Sequence, residues 1–244
     1  MIDVLYTLGP DSGHDNRELR WSLRGLEKFG RNVGRVIVAG FQPDWLSDEV
    51  VKFPVAIPPG KEKDAIIWHN VMSAIDAGVV SGRFLLSSDD HFLTAPFDFD
   101  QTPLWRRTTK DGKAAEIPVR TGTPYWRVMA QTREVLLANG YGIAKTNPHR
   151  NTVIDCRCVE EAKRLLATAK NQSVGLEINC VMGNLRNRIF GEPFVQVHDY
   201  KVGHLNRDAI ESGFFSIRDS AFSDPAFTVF MRGAFGVPSK YEKV

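Results

Sequence analysis

Two neighbouring carboxylates, Asp89 and Asp90, follow the apolar run Arg83-Phe84-Leu85-Leu86-Ser87-Ser88 and precede His91-Phe92-Leu93. Adjacent like charges at the end of a buried strand repel one another unless a cation or hydrogen bonds compensate them. A divalent ion bridging two phosphates of a nucleotide is one solution, because Mg²⁺ and Mn²⁺ prefer carboxylate and phosphate oxygens. The plainer alternative is that one of the pair caps a turn or a following helix.

A second cluster, Asp15-Asn16-Arg17-Glu18-Leu19-Arg20, sits where a first strand gives way to a helix. Free amides and the positive dipole end at a helix N-terminus suit a phosphate. Equally, Asp15 as N-cap with Glu18 three residues on would satisfy the helix's own amides. Arg20 and Arg24 lie one turn apart and face either an anion or solvent. The six histidines, His14, His69, His91, His149, His198 and His204, form no H-x-x-x-H or H-E-x-x-H pattern, which argues against a histidine-based metal site. His149 lies in the turn-forming stretch Thr146-Asn147-Pro148-His149-Arg150, where an imidazole can serve as a general base near neutral pH. No G-x-S-x-G, Walker loop or G-x-G-x-x-G occurs.

The elements that must position these groups are legible first at the N-terminus. Residues 2–8 read as a strand, Gly9 to Asn16 as a loop, and Arg17 to Lys28 as a helix with Leu19, Leu23 and Leu26 at helical spacing. Val36 to Ala39 and Val51 to Ile57 read as strands, Lys63 to Ala77 as a helix, and Arg83 to Ser88 as a strand running into the acidic pair. This alternation predicts a mainly parallel sheet with crossover helices, whose ligands gather beyond the carboxyl ends of the strands. Further on, helices are predicted over Arg127–Asn139, Val159–Lys170, Leu176–Arg188 and Ala226–Phe235, and strands over Phe194–Val197 and Phe214–Ile217. Trp105 to Thr123, rich in charge, Gly and Pro, reads as the most mobile loop.

Bulk properties narrow the class. A chain of 244 residues with 43% hydrophobic and 25% charged residues fits one elaborated α/β domain. A net charge of +2, with no Lys/Arg run longer than two, shows no strongly basic nucleic-acid footprint. Cys156, Cys158 and Cys180 are an odd set without disulfide or zinc spacing, which fits a reducing compartment. The first residues read directly as a strand, and no stretch approaches the ~18 apolar residues of a membrane span. The expectation is a soluble, cytoplasmic protein.

Five separated segments resemble the Stealth family of sugar-1-phosphate transferases. Asp3-Val-Leu-Tyr-Thr7 is similar to its opening strand, and Asp15-Asn-Arg-Glu-Leu-Arg20-Trp-Ser-Leu-Arg24-Gly-Leu-Glu-Lys28 to its D-x-E-L-R-x-S-L-R-S-I-E-K helix. Arg83 to Leu93 resembles its F-x-Y-x-N-D-D-x-F-L strand end. Phe215-Ser-Ile-Arg-Asp219-Ser and Phe235-Gly-Val-Pro-Ser239-Lys-Tyr-Glu242 resemble its I-N-D-D and F-P-x-P-S-x-Y-E blocks. The family's W-V-D-G is Leu8-Gly9-Pro10-Asp11 here, its strand-end Asn is Ser88, and its late N-D-D is Arg218-Asp219-Ser220.

The resemblance implies a GT-A-like fold: a mixed, mainly parallel sheet with flanking helices and a helical C-terminal addition. It also implies a Mn²⁺ or Mg²⁺ cofactor and a nucleotide-sugar donor. Residues 1–100 would form a Rossmann-like donor half, and 124–244 an acceptor and catalytic half. Asp89 and Asp90 would hold the metal. Thr7, Asp15, Asn16, Glu18, Arg20, Arg24 and Arg218 would bind substrate. Asp90, Asp219 and His149 would be catalytic, with His149 as the base. Transfer of the sugar and of the sugar phosphate both stay open, as do a glycan and a DNA base as acceptor. The rival readings are a non-catalytic nucleotide-sugar-binding module and an α/β hydrolase of phosphate esters.

Overall fold

A computed structural model describes residues 1–9, 15–120 and 122–243. Pro10 to His14, the core of the predicted first loop, lie outside the described residues. The chain opens with β1 (Ile2–Leu8), α1 (Arg17–Phe29), β2 (Gly30–Arg31), β3 (Val33–Gly40), β4 (Val50–Pro54), α2 (Lys63–Asp76) and β5 (Arg83–Ser87). It continues through β6 (His91–Leu93), β7 (Phe97–Asp98), β8 (Leu104–Arg107), α3 (Pro124–Ala138), β9 (Thr152–Asp155), α4 (Val159–Ala167) and α5 (Ile178–Phe190). Last come β10 (Phe194–Val197), β11 (Lys201–Val202), α6 (Arg207–Glu211), β12 (Phe214–Ile217) and α7 (Pro225–Phe235).

The central sheet has the order β4-β3-β1-β5-β9, parallel except for the antiparallel edge strand β9. The chain leaves β1 for β3 and β4 on one side, then returns to β5 on the other. Strand order therefore reverses between β1 and β5, and a crevice opens beyond their carboxyl ends. Alternate residues serve opposite faces of the sheet. Leu5, Ile37, Phe84 and Leu86 pack with Trp68 and Val71 of α2, Met129 of α3, Leu165 of α4 and Val181 of α5. Val4, Tyr6, Val38 and Leu85 pack with Leu19, Leu23 and Leu26 of α1. With both faces covered, the strands read as nearly continuous apolar runs.

The C-terminal addition carries strands as well as helices, and the predicted strand Phe214–Ile217 forms as β12. β11, β12 and β6 form a second sheet, with β12 antiparallel to β6. Phe92, Phe215, Phe227 and Phe235 build its core against Trp21, which projects from α1 away from the main sheet. The last residues return to α1: Leu46 bridges Glu242, and Lys243 N donates to Trp45 O at 2.8 Å.

Three further readings change. Asn16, not Asp15, is the N-cap of α1, with φ 48° and no side-chain cap bond. The predicted loop 105–123 is partly ordered: β8 pairs in parallel with β10, and Thr108 and Glu116 bridge Ala114 and Ala144. β9 has no sequence signal because Thr152-Val-Ile-Asp155 is short and follows the turn at Pro148, yet it closes the sheet beside β5. Among the described residues, no helix is long and apolar enough to cross a membrane.

Candidate active site

β5 ends in a tight turn, closed by a hydrogen bond from His91 N to Ser88 O at 3.2 Å, with Asp89 and Asp90 at its centre. The turn reverses the chain into β6, so the acidic pair is held between the two sheets. It borders a cavity of about 920 Å³ beyond the carboxyl ends of β1 and β5, lined there by Thr7, Ser87, Ser88 and Asp90. The first turns of α2, α3 and α5 also reach this cavity, through Lys63, Tyr125 and Ile178. Three helix N-termini bring partial positive charge to one space.

The two aspartates differ. Asp90 Oδ2 accepts from Lys201 Nζ at 3.1 Å and Ser216 Oγ at 3.0 Å. Burial alone would raise its pKa, but the charges of His91, Lys201 and His149 outweigh that and hold it well below the usual carboxylate range. Asp89 is pushed up to about 6 by burial, then by the charge of Asp90, against the pull of Lys63 and of its own turn's amides. Glu18, in the first turn of α1, is raised to about 7 by burial and then by Asp89, Asp90 and Asp219. The carboxylates around the turn therefore repel one another, and burial adds to the cost of charging them.

That repulsion is what a hard divalent cation would relieve. The donors are carboxylate oxygens, which suits Mg²⁺ or Mn²⁺. Among the described residues, no group of three or more His, Cys, Asp or Glu side chains is arranged to hold a metal. A cation at this turn would draw only the Asp89 and Asp90 carboxylates from the protein, with its other positions left to ligand oxygens and water.

Opposite the acidic turn stands a hydrogen-bonded dyad. His149 Nδ1 lies 2.8 Å from Asp199 Oδ2, while His149 N donates to Asp199 Oδ1 at 2.7 Å. Arg107 Nη2 binds the same carboxylate at 2.7 Å. Burial would raise the Asp199 pKa, but the bond and charge of His149, then Arg107, hold it well below the ordinary range. A carboxylate on Nδ1 fixes the tautomer and leaves Nε2 to accept a proton. His91, whose ring centre is 6.5 Å from that of His149, is driven down to about 4 by burial, against the pull of Asp90.

Of the residues expected at the site, Thr7, Asp90, His149 and Arg218 line the cavity. Asp89 sits in the same turn, and its charge, with those of Asp90 and Asp219, raises Glu18. Arg20 and Arg24 do not join them. Arg24 Nε and Nη2 each bind Glu242 at 2.6 Å, and its Nη1 donates to Phe235 O at 2.7 Å. Arg20 binds Glu242 at 3.1 Å and stacks 4.1 Å over Trp45. Their donors hold the C-terminus to α1 and are not free for a phosphate. Asp15 is an exposed partner of Arg20 at 3.0 Å, and the buried Asn16 begins α1; neither lines the cavity.

Sequence reasoning missed Lys63, Arg107, Tyr125, Trp126, Lys145, Asn147, Asp199 and Lys201. One signal existed. Thr123-Pro124 is an N-cap followed by proline at the first helical position, which starts α3 three residues before the predicted Arg127 and places Tyr125 and Trp126 at the cavity. Asp199, in a loop without periodicity, gave none. Neither a scan of protein-family models nor a search of curated proteins finds a match to this chain.

Proposed function

We propose that the protein is a metal-dependent transferase that moves a sugar or sugar-1-phosphate from a nucleotide sugar to an acceptor hydroxyl. In this reading the fold is GT-A-like and the chain is a compact relative of the Stealth family. The observation that carries it is one cavity at the strand-order reversal, shared by the Asp89-Asp90 turn and the His149–Asp199 dyad. Lys63, Lys110, Lys145 and Arg218 line the same cavity, and their side chains make no ion pair among the described residues. Such free cations, together with three helix N-termini, suit a pyrophosphate.

Asp89 and Asp90 would hold the divalent ion, whose chemistry is to offset negative charge on the nucleotide phosphates. His149 Nε2 takes the acceptor's hydroxyl proton, and Asp199 stabilises the resulting imidazolium. The freed oxygen bonds to the anomeric carbon, or to the sugar-bearing phosphorus, as the bond to the nucleotide phosphate breaks. Lys63 and Arg218 meet the departing charge.

A thermal-shift and turnover screen of nucleotide sugars, with and without Mn²⁺, tests the proposal. A ligand that binds only the folded state raises the melting temperature. At least one nucleotide sugar should stabilise the protein more with Mn²⁺ than without, and should be consumed. No stabilisation and no consumption across the panel would overturn it.

A further inference from the structure

Lys145 and Asn147 line the cavity and are only 9% and 8% exposed. The Lys145 ammonium has no hydrogen bond or ion pair among the described residues; it rests 5.7 Å from the ring centre of Trp126 and 5.9 Å from that of Tyr125. Asn147 Nδ2 donates to Tyr125 Oη at 3.3 Å, while its buried Oδ1 has no partner. A buried acceptor left unpaired is costly and rare in a folded protein.

The segment carrying both groups is fixed. Asn184 Oδ1 accepts from Ala144 N at 3.0 Å, and its Nδ2 donates to Ala144 O at 2.9 Å. Lys145 N and O are tied to Ala115 and Arg107 at 3.1 and 2.9 Å. The unpaired donor and acceptor are therefore presented rigidly beside two aromatic rings, whose centres are 4.8 Å apart.

The geometry points to a subsite for the planar base of a nucleotide at Tyr125, Trp126, Lys145 and Asn147. The base packs on the aromatic side chains, a ring carbonyl accepts from Lys145 Nζ, and the adjacent ring N–H donates to Asn147 Oδ1. A keto-pyrimidine carries that pairing on one edge. A neutral saccharide also packs on aromatic rings, but it gains nothing from the free ammonium or from Arg120, which lies 5.0 Å over Trp126. A phosphorylated nucleoside gains from both. Only the role of this nucleotide, as donor or acceptor, rests on the transfer reading. Asn147 and His149 line the same cavity.

Calorimetric titration of the whole protein with uridine diphosphate, a short oligothymidylate, ribose 5-phosphate, pyrophosphate and a neutral oligosaccharide tests this without any turnover. The base-bearing ligands should bind at least about tenfold more tightly than the base-free phosphates. Asn147→Ala and Trp126→Ala should each remove that advantage while leaving pyrophosphate affinity within about twofold. Tyr125→Ala, at a more exposed position, does the same should Asn147→Ala fail to fold. Mutual displacement of oligothymidylate and uridine diphosphate shows that both place a base in this subsite. Equal affinity for base-free phosphates, or preference for the oligosaccharide, would overturn it.

Discussion

At the scale of single residues, the site depends on partners that fix protonation and orientation. His149 can accept a proton at Nε2 because Asp199 takes Nδ1, and Asp199 stays charged because the bond and charge of His149, then Arg107 at 2.7 Å, outweigh its burial. Asp199→Asn keeps the shape but frees the wrong tautomer. Steady-state kinetics should show kcat falling by about 10²- to 10⁴-fold with KM changed only a few-fold. An unchanged kcat would remove His149 from the chemistry. The acidic pair was legible in the sequence, because an apolar strand ending in two aspartates needs a compensating charge wherever it folds. Asp199 was not: a lone aspartate between His198 and Tyr200 has no spacing to distinguish it, and only the path of the chain after β10 carries it to His149.

At the scale of elements, β1, α1, α2 and β5 were readable because burial on a sheet or a helix face imposes a period on the sequence. Arg20 and Arg24 show where that ends. Their spacing is helical, but what they face is Glu242, and no local pattern announces a partner from the other end of the chain. The Glu242 side chain is 1% exposed and balances two guanidinium groups. Glu242→Ala should therefore cost about 3 kcal/mol in denaturant unfolding, while Arg24→Met should lower stability and leave the KM for donor unchanged. A raised KM with normal stability would return Arg24 to the binding site.

α5 sets the position of the cavity segment in a similar way. A Cβ at Gly183 would overlap the Thr146 hydroxyl, so Gly183→Ala pushes on the strip bearing Lys145, Asn147 and His149. Alanine normally favours a helix over glycine by about 1 kcal/mol. Here kcat should drop and the melting temperature should not rise. A more stable, fully active Gly183→Ala variant would show that the strip's position is immaterial.

At the scale of the whole molecule, the crevice keeps carboxyl groups in conflict with burial, and stability follows pH accordingly. Asp64, at the start of α2, is raised to about 7 by burial and then by Glu177, and Glu18 is raised to about 7 as well. Unfolded chains release these protons near 4, so the folded state binds more protons than the unfolded state up to about pH 7. Each rise in pH through that range then weakens the fold. His91 opposes this only below about 6.5, where the unfolded imidazole gains its proton and the buried one does not. Without divalent ions, the melting temperature should be a few degrees higher at pH 6.5 than at pH 8, and Asp64→Asn should flatten the difference. A melting temperature that rises from pH 6.5 to 8 would contradict this electrostatic picture.

The central claim is that the Asp89-Asp90 turn and the His149–Asp199 dyad act together on a nucleotide sugar. The most direct measurement is donor consumption by the native protein and by Asp90→Asn, each with Mn²⁺ and each with excess chelator, beside a melting curve for both proteins. The expected result is turnover by the native protein with Mn²⁺ alone, and none by a folded Asp90→Asn. Full activity in the variant, or turnover indifferent to the chelator, would contradict it.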